Sequence, residues 1–149
     1  MTPQQPLAPC ACSRLRRATR AVTQLYDDAL APIGLRVTQL SLLRTLQRDG
    51  PLRIGELASR SLLDRTALSR NLEPLAERKL VAIVAGRDAR TREVRLTRQG
   101  EAALAAAAPH WESAQRQVTR RIGRDRLDDL YAVLRDMEAL HPEPAGNAD

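Results

Sequence analysis

Asp88-Ala89-Arg90-Thr91-Arg92-Glu93-Val94-Arg95-Leu96-Thr97 is the stretch from which the rest of the chain is best read. Its second half alternates, with Val94 and Leu96 on one side and Glu93, Arg95 and Thr97 on the other. That is the period of a strand with one buried face. Ahead of it, Gly86-Arg87-Asp88 reads as a tight turn and Leu80 to Val84 as an apolar partner strand. Together they predict a β-hairpin whose tip carries arginines.

The charge is placed to match. The 149-residue chain holds 24 Lys+Arg against 18 Asp+Glu, for a formal charge of +6, and Lys79 is its single lysine. Between Arg87 and Arg98 there are five arginines and two acids, whereas the last helical stretch is mixed to acidic. A basic balance suits an anionic partner and says nothing by itself about fold. The length predicts one domain. No apolar run of about 18 residues occurs, and no long apolar segment follows the first charges, so a cytoplasmic protein without membrane contact is expected. With no Phe, one Trp (Trp111) and two Tyr (Tyr26, Tyr131), the core must be Leu, Val, Ile and Ala. Two cysteines two residues apart cannot staple a fold, which excludes a disulfide scaffold.

Outward from the hairpin, the spacing predicts helices on both sides. Leu15, Ala18, Val22, Leu25, Tyr26 and Ala29 recur at threes and fours, marking a first helix over 13–30 with Ser13 as N-cap and Pro32 and Gly34 ending it. Thr38 is expected to cap a second helix, with Leu40, Leu43 and Leu46 inward, closed by Asp49-Gly50-Pro51. A short third helix, Ile54 to Ser61, buries Leu57 and Ala58. Asp64 then caps a fourth, running to about Lys79, with Leu68, Leu72, Leu75 and Ala76 on one face and Arg65, Thr66, Ser69, Arg70 and Glu73 on the other. Pro74 should bend or loosen it. After the hairpin, Thr97 caps a long fifth helix kinked at Pro109. Gly123 separates it from a sixth, striped by Leu127, Leu130, Tyr131, Leu134, Met137 or Glu138, and Leu140. Flexible tails are expected at 1–9 and 142–149.

A projecting basic hairpin beside a helix that displays Thr, Ser and Arg is suited to a DNA duplex, the helix in the major groove and the hairpin on phosphates or the neighbouring minor groove. Thr66, Ser69 and Arg70 are the candidates for base edges or phosphates. Arg70 fits guanine best, since its fork can pair with O6 and N7. Arg65, Arg87 and Arg92 suit phosphates. The expected fold class is mainly α with a small β-hairpin: a winged helix-turn-helix lobe over about 37–97, and a helical dimerisation region from about 13–31 and 98–140, in a single domain spanning 10–141. The outer helices each carry an apolar stripe that a second copy can cover, which predicts a two-fold homodimer presenting two recognition helices about one helical turn apart along DNA.

Three pieces in this order resemble the MarR family of bacterial transcription regulators: Ile54-Gly55-Glu56-Leu57-Ala58, the run Asp64-Arg65-Thr66-Ala67-Leu68-Ser69-Arg70-Asn71-Leu72, and the wing, where Asp88-x-Arg90 and then Val94-x-Leu96-Thr97 follow the family's Asp-x-Arg…Leu-Thr pattern. The resemblance covers roughly residues 13–140. It implies a homodimer that binds a pseudo-palindromic double-stranded operator, usually as a repressor released by a small molecule or an oxidant. It also implies that Arg90 enters the minor groove and that Asp88 orients it. A guanidinium does suit the negative potential of a narrow A/T minor groove.

Two routes to a signal are open. Cys10-Ala11-Cys12 stands at the start of the first helix beside Arg14, Arg16 and Arg17, a setting that favours thiolate. Cys12…Arg20-Ala21-Val22-Thr23…Tyr26 is similar to the organic-peroxide-sensing branch of the family, in which a tyrosine fourteen residues on bonds the thiol. That branch has a further tyrosine where Arg16 stands here. Fourteen helical residues span about 20 Å, so Tyr26 would have to come from a fold-back or the other subunit. A Cys10–Cys12 disulfide would be strained within a chain but is geometrically open between subunits; sensing, metal binding and an inert role all remain readings of these thiols. The other route is a small aromatic ligand between the dimerisation helices and the DNA-binding lobe, with Arg16, Tyr26, His110 and Trp111 as candidate lining.

Two rival classes fit less well. His110 and His141 are far apart, and there is no phosphate loop, nucleophile triad or metal-spaced cluster, so no catalytic residue, cofactor or metal is expected. A sequence-indifferent architectural protein would need apolar wedges or a uniform lysine-rich face.

Overall fold

The structure, a computed structural model, describes residues 9–88 and 90–140. The expected tail at 142–149, all but Pro9 of the tail at 1–9, and His141 lie outside the described residues. The elements run α1 (Ala11–Leu30), a 3-10 turn (Ala31–Ile33), α2 (Val37–Asp49), β1 (Leu52–Arg53), α3 (Ile54–Arg60), α4 (Arg65–Glu77), β2 (Val81–Ala85), β3 (Arg92–Leu96), α5 (Arg98–Ile122) and α6 (Arg124–Glu138). The mainly helical, winged architecture expected from the sequence is what forms. One strand was not foreseen. β1 pairs antiparallel with β3 through Leu52↔Val94 and Arg53↔Glu93, so β3 lies at the centre of a three-stranded sheet in the order β1-β3-β2.

The core sits between α2 and the elements around it. α2 packs against α1, α3, α4, α5 and β3, and so buries Leu42 as well as the expected Leu40, Leu43 and Leu46. Leu57, Leu68, Leu72, Leu75 and Val94 join them in one continuous apolar cluster. Each fully buried leucine there contributes roughly 1.5–3 kcal/mol relative to exposure. α1 and α5 pack on each other, with Tyr26, Leu30, Leu104, Ala107 and Ala114 buried, whereas α6 buries Leu127; Val22, Leu130, Tyr131 and Val133 stay exposed.

Two helix starts differ from the expected caps. α1 begins at Ala11 with Cys10 as N-cap and no side-chain cap bond, which places Ser13 inside the first turn. α2 begins at Val37, not beyond Thr38, because its orphan donors are met from elsewhere. Val37 N–H donates to Asp27 Oδ1 of α1 at 2.7 Å, and Arg36 N–H donates to Gln39 Oε1 at 3.0 Å. α4 ends at Glu77 with Pro74 in its last turn, two residues short of Lys79. α5 is unbroken through Pro109.

Candidate nucleic-acid interface

α4 is fixed by its cap and its leucines. Asp64 Oδ1 accepts the Ala67 N–H at 2.7 Å, satisfying one of the first-turn donors. Leu68, Leu72 and Leu75 are buried, which by helical spacing turns Arg65, Thr66, Ser69, Arg70 and Glu73 to solvent, and all five are exposed. Asn71 is taken up locally, donating to the Ala67 carbonyl at 2.8 Å. The turn that joins α3 to α4 is closed by Leu63 N–H on the Ala58 carbonyl at 3.0 Å, with Leu62 in a left-handed conformation at φ +52°.

The wing is set by the register Val81↔Leu96 through Ala85↔Arg92, with Val94 buried against the core. At its turn, Gly86 N–H donates to the Thr91 carbonyl at 2.7 Å and Thr91 N–H to the Asp88 carbonyl at 2.9 Å. The Asp88 carboxylate accepts the main-chain N–H of Arg90 at 3.2 Å. This carboxylate therefore shapes the turn. Arg87, Arg90 and Arg92 are exposed. Among the described residues, none of Arg65, Arg70, Arg87, Arg90 and Arg92 is in an ion pair, whereas Arg95 is held by Glu93 at 2.9 Å. α4 and the wing are thus two exposed basic elements whose guanidiniums make no ion pair among the described residues.

The root of the wing is tied to α5. Thr97 Oγ1 donates to the Lys79 and Leu80 carbonyls (2.6 and 3.0 Å) and accepts the Gly100 N–H at 3.0 Å. Gly100 permits that approach: a Cβ there would run into the Leu80 carbonyl oxygen and Leu96 Cδ1.

Among the described residues, the remaining candidates fall in more than one place. Tyr26 donates its hydroxyl to Gln115 Oε1, and Gln115 Nε2 in turn meets the Tyr131 hydroxyl at 3.1 Å. Burial, with the neighbouring Tyr131, raises the Tyr26 pKa, partly offset by Arg44. Trp111 lies under Arg44, whose guanidinium carbon is 4.2 Å from the ring centroid, and His110 is half-buried. Arg16 belongs to a different place, an open groove of about 690 Å³ lined by Cys12, Leu15, Arg20, Met137 and Leu140. Cys10 and Cys12 are free and exposed. Since Cys12 and Tyr26 share one unbroken helix, no bond between them forms within the chain. Sequence reasoning missed Arg44, Arg78 and Gln115, whose partners lie far along the chain and leave no local pattern.

A helix-turn-helix with an arginine wing, carried on long helices, defines a winged helix-turn-helix protein. The MarR family model matches residues 33–91. The chain is similar to the transcriptional regulator MosR of M. tuberculosis, solved in complex with DNA, at 41% identity over 89% of this chain and 99% of that one, with a TM-score of 0.76. It is similar also to the transcriptional repressor CouR bound to a 23-mer DNA duplex, at 26% identity over 87% and 92% with a TM-score of 0.79. CouR bound to p-coumaroyl-CoA matches at 25% identity over 93% and 98%, with a TM-score of 0.77. No curated protein matches at comparable stringency. The chain belongs to the MarR family of transcriptional regulators. Among the described residues, no helix is long and apolar enough to cross a membrane.

Proposed function

We propose that this chain is a homodimeric repressor that binds a pseudo-palindromic DNA operator through α4 and the wing. The observation that carries the reading is that the α4 face (Arg65, Thr66, Ser69, Arg70) and the wing arginines Arg87, Arg90 and Arg92 are all exposed, on a chain 41% identical to a regulator solved with DNA. Thr66, Ser69 and Arg70 read base edges, Arg65, Arg87 and Arg92 hold phosphates, and Arg90 enters the minor groove beside Asp88. Dimerisation is supported by the apolar residues left exposed on α1 and α6, Val22 (45%), Leu130 (41%) and Val133 (48%) among them. CouR, a relative that binds an aromatic acyl ligand, supports release by a small aromatic effector. In this chain the aromatic and cationic groups Tyr26, Arg44 and Trp111 gather where α1, α2 and α5 meet.

A second reading of the signal rests on the exposure of Cys10 and Cys12. Two thiols from the two subunits would reduce an organic hydroperoxide to its alcohol and water, their sulfurs forming a disulfide. The experiment is a DNA-binding titration against the upstream region of the chain's own gene, repeated after cumene hydroperoxide and again after dithiothreitol. Reversible loss of binding that disappears in Cys12→Ser establishes the thiol route. Binding indifferent to oxidant but weakened by p-coumaroyl-CoA or a simple aromatic acid establishes the ligand route. No saturable binding to that DNA or to a selected sequence overturns the repressor reading.

A further inference from the structure

The helix that carries the DNA-facing residues is anchored at its far end by a residue that faces away from its chemistry. Arg78 directly follows α4, and its guanidinium reaches across the chain to two successive carbonyls. Nη1 donates to the Gly34 carbonyl at 2.6 Å and Nη2 to the Ile33 carbonyl at 3.1 Å. Those carbonyls lie at the end of the 3-10 turn that continues α1, and Gly34 takes the left-handed conformation (φ +67°) that ends it. A guanidinium is rigid and planar, so a two-pronged bond fixes direction as well as distance.

The neighbouring residues are held from the other side. The Lys79 and Leu80 carbonyls receive Thr97 Oγ1 from the start of α5. Lys79 itself is left-handed at φ +58°, a conformation that non-glycine residues adopt at an energetic cost and that persists when the surroundings over-determine it. The corner between α4 and β2 is therefore clamped, with α1's continuation on one side and α5 on the other. Both are the helices read above as the dimer interface.

We propose that Arg78 is a positioning residue that sets the direction of α4 relative to α1, and hence the half-site spacing that the dimer accepts. The inference rests on the operator-binding reading. In each subunit the bonded corner transmits the placement of the dimer helices to the recognition helix. Two such helices related by two-fold symmetry must match a fixed repeat along DNA. A small rotation of each α4 about a loosened corner would change their separation and relax that match. Arg78 acts here through carbonyls of its own chain, with its guanidinium already occupied.

The test begins by selecting the protein's preferred inverted repeat from a random duplex pool. Affinity is then measured for that repeat and for versions with one base pair added to or removed from the spacer, at several salt concentrations. Arg78→Ala is expected to lose about tenfold in affinity at the native spacing, because each recognition helix is then less well placed for its half-site. It should bind native and shifted spacings nearly alike, with a thermal midpoint lowered by a few degrees and an unchanged salt slope. Arg78→Lys keeps the charge but lacks the rigid planar fork that fixes direction, so it should share the loss of spacing preference. A salt slope lower by about one in Arg78→Ala, restored by Arg78→Lys with spacing preference intact throughout, would make Arg78 a phosphate contact and overturn the proposal. Unchanged affinity and spacing would overturn it too. If the wild-type protein enriches no sequence at all, the operator reading fails first, and this inference with it.

Discussion

Replacing Thr97 by Ala removes one hydroxyl that does two jobs. It caps α5 by accepting the Gly100 N–H at 3.0 Å, and it ties the wing root by donating to the Lys79 and Leu80 carbonyls. Loss of an N-cap costs about 1 kcal/mol, within a range of roughly 0.5–2. Loss of the donated bond adds about 0.5–1.5 kcal/mol. The Leu80 carbonyl keeps its bond from Thr97 N–H at 3.2 Å, which argues against the upper end. The sum is about 2 kcal/mol, or a fall of about 4–8 °C in Tm for a chain of this size. Urea unfolding followed by circular dichroism measures it, at one fixed protein concentration because a dimer's midpoint depends on concentration. Thr97→Ser keeps the hydroxyl and should stay within about 0.5 kcal/mol of wild type. Amide exchange in β2 and β3 should quicken in Thr97→Ala and not in Thr97→Ser. A loss below about 0.5 kcal/mol for Ala, small even for a neutral cap exchange, or equal losses for Ala and Ser, would refute the assignment.

Arg90→Ala should weaken operator binding by about tenfold at moderate salt and lower the salt slope by about one, while the circular dichroism spectrum and dimer mass stay unchanged; unaltered binding would remove the wing from the interface. Bonds from Arg48 first, and then Arg60, hold the Asp49 carboxyl at about 2, below its ordinary 3.8. Its contribution is therefore present above pH 3.8 and lost as pH falls toward 2. The Tm gap between wild type and Asp49→Asn should close across that interval, and a gap that persists at its lower end would contradict the pairing. Arg44→Ala strips the cation from above Trp111, with an expected loss of about 0.5–1 kcal/mol. The emission of this single tryptophan should shift as it does so, and an unmoved spectrum would show that the stack does not persist in solution.

The elements proposed to face DNA, α4 and the wing, were legible in the sequence because their signals are local. Asp64 precedes a helical run and its carboxylate does cap it. The alternation from Glu93 to Thr97 puts Val94 in the core, and Thr97 caps α5 as its position suggested. What escaped is long-range. β1 is two residues long and exists because β3, some forty residues on, offers it an edge. The start of α2 needed no Ser or Thr cap, since Asp27 supplies an acceptor from the preceding helix. Arg16 lies in a groove with Cys12 and Leu15, ten helical residues or about 15 Å along α1 from Tyr26. Arg78 looked like one more surface arginine, and only the fold brings the Ile33 and Gly34 carbonyls to it.

The most direct test of the account is a stoichiometric titration of a duplex bearing the selected inverted repeat, with random-sequence DNA as competitor. The account predicts two chains per duplex and a preference for the repeat of about 10³ or more. One chain per duplex, or equal competition by random DNA, would contradict it.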